Sequence, residues 1–325
     1  MNRKKKVLFF GLGSIGRRHL RILQNNFDYK IYAYRSTRNN PIEGIKNIYN
    51  IEKALQIKAD IAFITNPTHL HIQTALNCLD SGIKNLFIEK PLSHNLNNIK
   101  ELERKGKENN ALIYIGYSMR FNPVLIRLKE LIDELKERII YSFTTCQSYL
   151  PKWRSGRDYR NFYSSKKDQG GGVILDLIHE FDYNEWLFGK IKTIKGQYGK
   201  ISALEIDSED FCDVNIKFEN DINGFIHLDY FSHYNQRKIS VLTAQKELIA
   251  NLINNEILIV NDEEIKKENF KFEIDYMYEQ QLKDFLDAVE IGDKEFGNLK
   301  EAGELLQKLI VFKNNNKMII KSDYL

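Results

Sequence analysis

Gly11, Gly13 and Gly16 stand in G-x-G-x-x-G spacing directly after an apolar run, Val7-Leu8-Phe9-Phe10, and directly before a helical pattern. Each glycine has a separate task in such a turn. Gly11 makes the tight bend, Gly13 lets the backbone approach a pyrophosphate, and Gly16 lets helix pack on strand. The helix start at Ser14 and Ile15 then offers free N–H groups and a positive dipole end to that pyrophosphate. About 20 residues further on, an NAD-selective turn carries Asp or Glu for the ribose 2′-hydroxyl. Here the sequence is Tyr34-Arg35-Ser36-Thr37-Arg38, with no carboxylate. Arg35 and Arg38 suit a 2′-phosphate through charge-assisted bonds, and Ser36 and Thr37 supply hydroxyl donors, so NADP(H) is favoured and NAD(H) is the alternative. A second cluster follows a triple glycine, Gly170 to Gly172. At helical spacing Asp176, His179 and Asp182 share one face, an arrangement that suits a histidine general base held in one tautomer by an acid partner. The bland alternative is a helix whose polar face happens to carry a histidine.

These groups need elements to position them. Strand candidates at 7–10, 30–34, 60–65, 85–89 and 111–116 alternate with amphipathic stretches such as 69–79 and 96–108. Short runs rich in Ile, Phe and Val that alternate with helices predict a parallel sheet covered on both faces, a doubly wound Rossmann domain over residues 1–120. After Arg120 a helix candidate at 123–138 gives way to β-rich segments at 139–149, 191–201, 211–218, 222–231, 238–242 and 256–260. The alternation in Asp213-Val214-Asn215-Ile216-Lys217-Phe218 suits an antiparallel sheet with one buried and one wet face. Helical spacing returns at 276–289 and 299–312, and residues 121–325 read as a second, α+β domain with a large, mostly antiparallel sheet.

Bulk properties narrow the class. The chain has 325 residues, enough for two cores, with 42% hydrophobic and 28% charged residues and a net charge of +4. The one basic run, Arg3-Lys4-Lys5-Lys6, precedes a strand and argues for a solubilised terminus over nucleic-acid binding. Three scattered cysteines, Cys78, Cys146 and Cys212, show neither C-x-x-C nor metal-ligand spacing and point to a reducing compartment. No apolar stretch reaches spanning length and no signal-peptide core follows Met1, so the expectation is a cytoplasmic protein that needs no membrane.

Over nearly its full length the chain resembles the Gfo/Idh/MocA oxidoreductases. The likeness rests on residues 11–16, Thr65-Asn66-Pro67-Thr68-His69-Leu70-His71, Glu89-Lys90-Pro91, Gly116-Tyr117-Ser118-Met119-Arg120-Phe121-Asn122-Pro123, and the 170–182 segment. The resemblance implies hydride transfer between a nicotinamide and a secondary alcohol or ketone of a sugar or cyclitol. It assigns Lys90 to the place beside nicotinamide and substrate, with Glu89 next to it. A lysine there can take or return the hydroxyl proton or, if charged, polarise the developing alkoxide. It further implies that Asn66 and Pro67 border the nicotinamide-side ribose, and that His179 acts as a base. His71 matches a family histidine or merely begins a helix, while Arg120 and Asn122 line a substrate cleft or merely open a helix at Pro123. Relatives often carry one more residue between the aspartate and the histidine, which leaves open whether Asp176 or Glu180 orients His179.

A loop at 149–163 is dense in aromatics and arginines, with Trp153, Tyr159 and Tyr163 beside Arg154, Arg157 and Arg160. Rings stack on sugar faces and arginines grip phosphate or carboxylate, so the loop suits a phosphorylated, nucleotide-linked or acidic sugar; a subunit contact is the other reading. The loop resembles a branch of the family found in surface-sugar and glycoconjugate pathways, which favours amino or nucleotide sugars. A homodimer or homotetramer through the second sheet is expected, because a large sheet with an uncovered apolar face needs a partner. Two alternatives remain beside an NADP(H)-dependent sugar dehydrogenase: a closed redox cycle of glycosidase or epimerase type, and a non-catalytic cofactor-binding sensor.

Overall fold

The computed structural model describes residues 3–36 and 42–320. The chain forms two compact units, one of residues 1–117 with 274–306 and one of residues 118–273 with 307–325. In the first, β1 (Lys6–Phe10), α1 (Ser14–Asn26), β2 (Lys30–Tyr34), β3 (Lys46–Ile48), α2 (Ile51–Leu55), β4 (Ile61–Ile64), α3 (His71–Asp80), β5 (Asn85–Glu89), α4 (Ile99–Glu108) and β6 (Leu112–Gly116) follow in turn. The six strands form one parallel sheet in the order β3-β2-β1-β4-β5-β6. The order reverses between β1 and β4, the place where open α/β sheets bind ligands beyond their carboxyl ends. Side chains on both faces of the central strands are buried, since helices cover both sides: Val7 to Phe10 and Ile61 to Ile64 are at most 1% exposed. Stacked rings of Phe9, Phe63 and Phe87, at centroid distances of 4.9 and 5.1 Å, fill one face.

The second unit opens with α5 (Pro123–Asp133) and the strand β7 (Tyr141–Tyr149). A chain of short 3-10 turns then leads to α6 (Val173–Asp176) and α7 (His179–Phe188). Strands β8 (Ile191–Lys200), β9 (Phe211–Phe218), β10 (Asn223–Asp229), β11 (Phe231–Leu242), β12 (Glu247–Asn251), β13 (Glu256–Val260) and β14 (Ile265–Asn269) follow. The chain then passes through α8 (Ile274–Ile291), which belongs to the first unit, to α9 (Leu299–Asn315) and a two-residue strand β15 (Ile319–Ile320). The nine-stranded sheet runs β14-β13-β12-β11-β7-β10-β9-β8-β15, antiparallel except for the β7·β10 and β8·β15 pairs. Thus a six-stranded parallel Rossmann sheet precedes a large, mostly antiparallel one.

Two features depart from the sequence reading. Helix α8, placed there in the second domain, packs on the first sheet: Leu282, Phe285, Leu286 and Ala288 share a core with Val7, Phe9, Phe63 and Phe87. Asp275 at its start is paired with Arg18 at 3.1 Å and with Arg21. Residues 173–182 are also not one helix. α6 ends at Asp176, Leu177 turns out of helical backbone at φ −97°, ψ 29°, and α7 begins at His179. His179 and Asp182 therefore share a helix, and Asp176 sits on the element before it.

Candidate active site

In the first unit, three neighbouring parallel strands bring their carboxyl ends to one edge. β1 ends at the glycine turn, β4 at Thr65-Asn66-Pro67 and β5 at Glu89-Lys90-Pro91, with Phe10, Ile64 and Ile88 in register. Gly11 has φ +92°, and a Cβ on it would sit 2.7 Å from the Asn66 Cα, so only glycine fits between β1 and β4. A Cβ on Gly16 would meet the Gly11 carbonyl at 2.5 Å and Thr65 Oγ1 at 2.6 Å. Thr65 Oγ1 donates to that same carbonyl at 2.6 Å and locks the turn. Gly13 differs, with nothing within 4 Å of a Cβ position. It is the N-cap of α1, no side chain caps the helix, and Ser14 is exposed, leaving the first-turn N–H groups of Ser14 and Ile15 to a ligand.

Two further observations match this edge to a dinucleotide. Asn66 Oδ1 is buried without a hydrogen-bond partner among the described residues, while its Nδ2 donates to Thr74 Oγ1 at 2.9 Å. A ribose hydroxyl would satisfy that acceptor. Arg35, half-buried at the end of β2, reaches Asn47 Oδ1 with Nη1 at 3.3 Å, and Ser36 beside it is exposed. Thr37 and Arg38 lie outside the described residues. Pro67 is exposed at the same edge.

His71 proves to be a tie between strands. Its Nε2 lies 2.9 Å from the Asn66 carbonyl and its Nδ1 2.9 Å from the Pro91 carbonyl, so one buried ring joins the end of β4 to the end of β5. A neutral imidazole has one N–H and donates to only one of the two. Burial nonetheless pushes its pKa down, against the pull of both carbonyls. Glu89 is held from behind. Its Oε1 lies 2.5 Å from Nε2 of His19, fully buried among the rings of Phe63, Phe87 and Tyr278, and its Oε2 accepts from the Lys90 N–H at 3.2 Å. The sequence reading missed His19, although a histidine three residues after Gly16 on the buried side of α1 is a legible signal. Lys90, half-buried, follows this fixed carboxylate and precedes a cis bond to Pro91.

In the second unit, Asp176 is cradled by hydroxyls. Tyr163 donates to Oδ1, and Ser164 and Tyr230 donate to Oδ2 at 2.6 and 3.1 Å. The triple glycine makes this cradle feasible. A Cβ on Gly171 would stand 2.4 Å from the Tyr163 carbonyl, and Gly172, at φ +104°, lies against the Glu209 carboxylate. Glu209 is in turn neutralised by Lys313 at 2.8 Å. His179 is 9% exposed at the start of α7. Of the neighbouring carboxylates, Glu180, fully buried, holds Arg237 at 2.6 Å, and Asp182 takes Nε and Nη2 of Arg120 at 3.0 and 2.7 Å. Arg120 is therefore bound to the helix that carries His179. Asn122 caps α5 by accepting from the Val124 and Leu125 N–H groups.

In the 149–163 loop, Trp153 Nε1 donates to Ser148 Oγ at 2.9 Å, and its ring meets Tyr230 edge-on at 5.2 Å. The Tyr159 hydroxyl accepts from the Glu205 N–H at 3.1 Å. Sequence gave no local signal for Ser164 or Tyr230, because the contacts that make them part of the site span 12 and 54 residues.

Residues 5–117 match the model of an oxidoreductase family with an NAD-binding Rossmann fold, and residues 128–248 match the GFO/IDH/MocA C-terminal domain. Among characterised relatives, the myo-inositol 2-dehydrogenase of Thermotoga maritima is 23% identical over 278 residues, 80% of this chain and 79% of that protein. Among solved structures, the UDP-N-acetylglucosamine 3-dehydrogenase of Acidithiobacillus ferrooxidans superposes with a TM-score of 0.78 at 15% identity, over 96% of this chain and 97% of that one. A levoglucosan dehydrogenase in complex with NADH and levoglucosan gives 0.81 at 14% identity, over 96% and 98%. The two structural likenesses concern the fold.

Proposed function

Because this chain belongs to the Gfo/Idh/MocA oxidoreductase family and its first domain is of the NAD(P)-binding kind, we propose that it transfers hydride between NADP(H) and a secondary alcohol or ketone of a sugar. The observation that carries the reading is the shared edge of β1, β4 and β5, which delivers the open glycine turn, the unsatisfied Asn66 Oδ1 and Lys90 to adjacent positions. The sugar and cyclitol dehydrogenases among the relatives support the substrate class.

When bound, the nicotinamide would supply the hydride acceptor or donor. Gly11, Gly13, Gly16 and the N–H groups of Ser14 and Ile15 would hold the pyrophosphate, and Asn66 with Pro67 would border a ribose. Arg35 takes the 2′-phosphate, with Ser36 as a hydroxyl donor; absence of a carboxylate at this position supports NADP(H). Lys90 moves the hydroxyl proton at Nζ, or steadies the oxygen as charge develops on it. His19 and Glu89 fix the backbone before Lys90, and His71 ties the Pro91 carbonyl just after it to the Asn66 carbonyl at the end of β4, so these three are positioning residues. Where Lys90 only steadies the oxygen, His179 of the second domain is the base that takes that one proton, on a segment next to Asp176 and its three hydroxyls.

We assign self-association to the outer face of the nine-stranded sheet. There Phe143, 43% exposed, stacks on Phe225 at 5.4 Å, a pair of rings that a second copy would cover. The test of the catalytic reading is Lys90→Ala. Calorimetry should show NADP+ bound as before, and turnover should drop about 10²–10⁴-fold, the span of general acid–base catalysis. Unchanged turnover would overturn the site.

A further inference from the structure

The structure separates the cations of the 149–163 loop. Arg160 is committed to protein carboxylates: its Nε lies 2.9 Å from both oxygens of Asp158, and Nη1 reaches Glu205 at 3.2 Å. Arg154 has no such partner; among the described residues, no carboxylate comes within ion-pair distance of it. Its Cζ instead lies 4.6 Å from the ring centre of Phe162 and 6.0 Å from that of Tyr163. Lys152 repeats the pattern, with Nζ 6.0 Å from the Tyr149 ring centre and, among the described residues, no carboxylate. A guanidinium laid on an aromatic face keeps its N–H edge free for two parallel bonds to a phosphate. Two such cations two residues apart, neither paired with a carboxylate among the described residues, match the charge of a diphosphate.

Their place in the fold defines which part of a substrate this would be. Tyr163, under Arg154, donates its hydroxyl to Asp176. Trp153, between the two cations, packs edge-on against Tyr230, whose hydroxyl also donates to Asp176. The loop therefore rests on the same tyrosines that cradle Asp176, one ring removed from it. An anion on Arg154 is set apart from Asp176 by the ring of Tyr163, over which the guanidinium lies and whose hydroxyl reaches that carboxylate. The Tyr149 ring under Lys152 packs in turn against that of His233, at a centroid distance of 4.2 Å, so an aromatic pair on which a base can stack lies beside the second cation.

We infer that Lys152 and Arg154 bind the diphosphate of a nucleotide-linked sugar. The inference takes from the hydride-transfer reading the role of the Asp176–His179 segment, but the binding event stands without it. The test is calorimetric titration of UDP into the full-length protein saturated with NADP+, so that the dinucleotide turn is filled. Wild type should bind UDP, Arg154→Gln should weaken binding at least tenfold, and Arg154→Lys, which keeps the charge but not the fork, should recover part. Thermal midpoints equal to wild type would exclude unfolding as the cause, and loss of UDP affinity in Lys152→Gln tests the second cation. Equal UDP binding by wild type and Arg154→Gln, or no UDP binding at all, would overturn the inference, as would binding of glucuronate in place of UDP. Arg154-dependent binding with no nicotinamide reduction by any nucleotide-linked sugar would uphold the subsite and count against the hydride-transfer reading alone.

Discussion

At the residue scale, the site depends on how firmly side chains behind the reactive groups are held. Glu89 is buried and fixed by His19, and it receives the Lys90 N–H, so the lysine leaves the strand in one direction. His19→Ala should leave Glu89 Oε1 without its buried partner and lower kcat with little change in KM for cofactor. Steady-state kinetics with NADP+ varied checks this, and an altered KM alone would contradict a positioning role. Arg35→Glu should weaken NADPH about 10–100-fold more than NADH, the value of a charge-assisted bond replaced by repulsion. Parallel titrations of the two cofactors measure it, and equal losses would remove Arg35 from the 2′-phosphate. What sequence reveals at this scale follows separation along the chain. The spacing of Gly11, Gly13 and Gly16 is local and readable, whereas the cradle of Asp176 is built by Tyr163, Ser164 and Tyr230 from distances no local pattern encodes. Arg160 and Arg154 look alike in sequence, and only the partners Asp158 and Glu205 distinguish them.

Elements carry the next level of constraint. Gly171 packs its backbone against the carbonyls of Tyr163 and Ser164, the residues whose hydroxyls hold Asp176. Gly171→Ala should therefore cost about 1–3 kcal/mol in urea unfolding by overpacking and reduce turnover together with stability. A variant of normal stability and full activity would show that the close approach is not required. The strands at Lys30–Tyr34, Asn85–Glu89, Phe211–Phe218 and Glu256–Val260 stand where hydrophobic pattern places them. β3 with three residues and β14, whose sequence is Ile265-Lys266-Lys267-Glu268-Asn269, lack such a pattern and exist because a neighbouring strand offers its edge. The break at Leu177 also left no mark in sequence, since Leu-Ile suits a helix; tertiary packing of the Gly171–Asp176 segment overrides local propensity.

For the whole molecule, two histidines give stability opposite slopes with pH. The hydrogen bond to Asp229, against the pull of burial and aided by Asp213, holds His227 above its ordinary value of 6.5. Its contribution is complete below that value and is lost as pH rises through the higher folded pKa. Burial depresses His71 below 6.5, so its contribution is present above 6.5 and lost as pH falls through the folded value. His227→Gln should flatten the alkaline limb of a urea-midpoint profile and His71→Gln the acidic limb; a profile unchanged by either variant would refute the assignment. Phe143→Asp should lower the sedimentation mass of the native species if the outer sheet face is the subunit contact, and an unaltered mass would move that contact elsewhere. No helix among the described residues is long and apolar enough to cross a membrane.

Hydride transfer on a sugar is read from the single-turnover absorbance of reduced nicotinamide. Enzyme and NADP+ in equal amounts are mixed with free, phosphorylated and nucleotide-linked sugars, and NADPH with the corresponding keto-sugars, alongside His179→Ala. At least one sugar should give a signal that the variant loses while still binding cofactor. Silence in both directions with cofactor bound, or an equal signal from His179→Ala, would contradict that expectation.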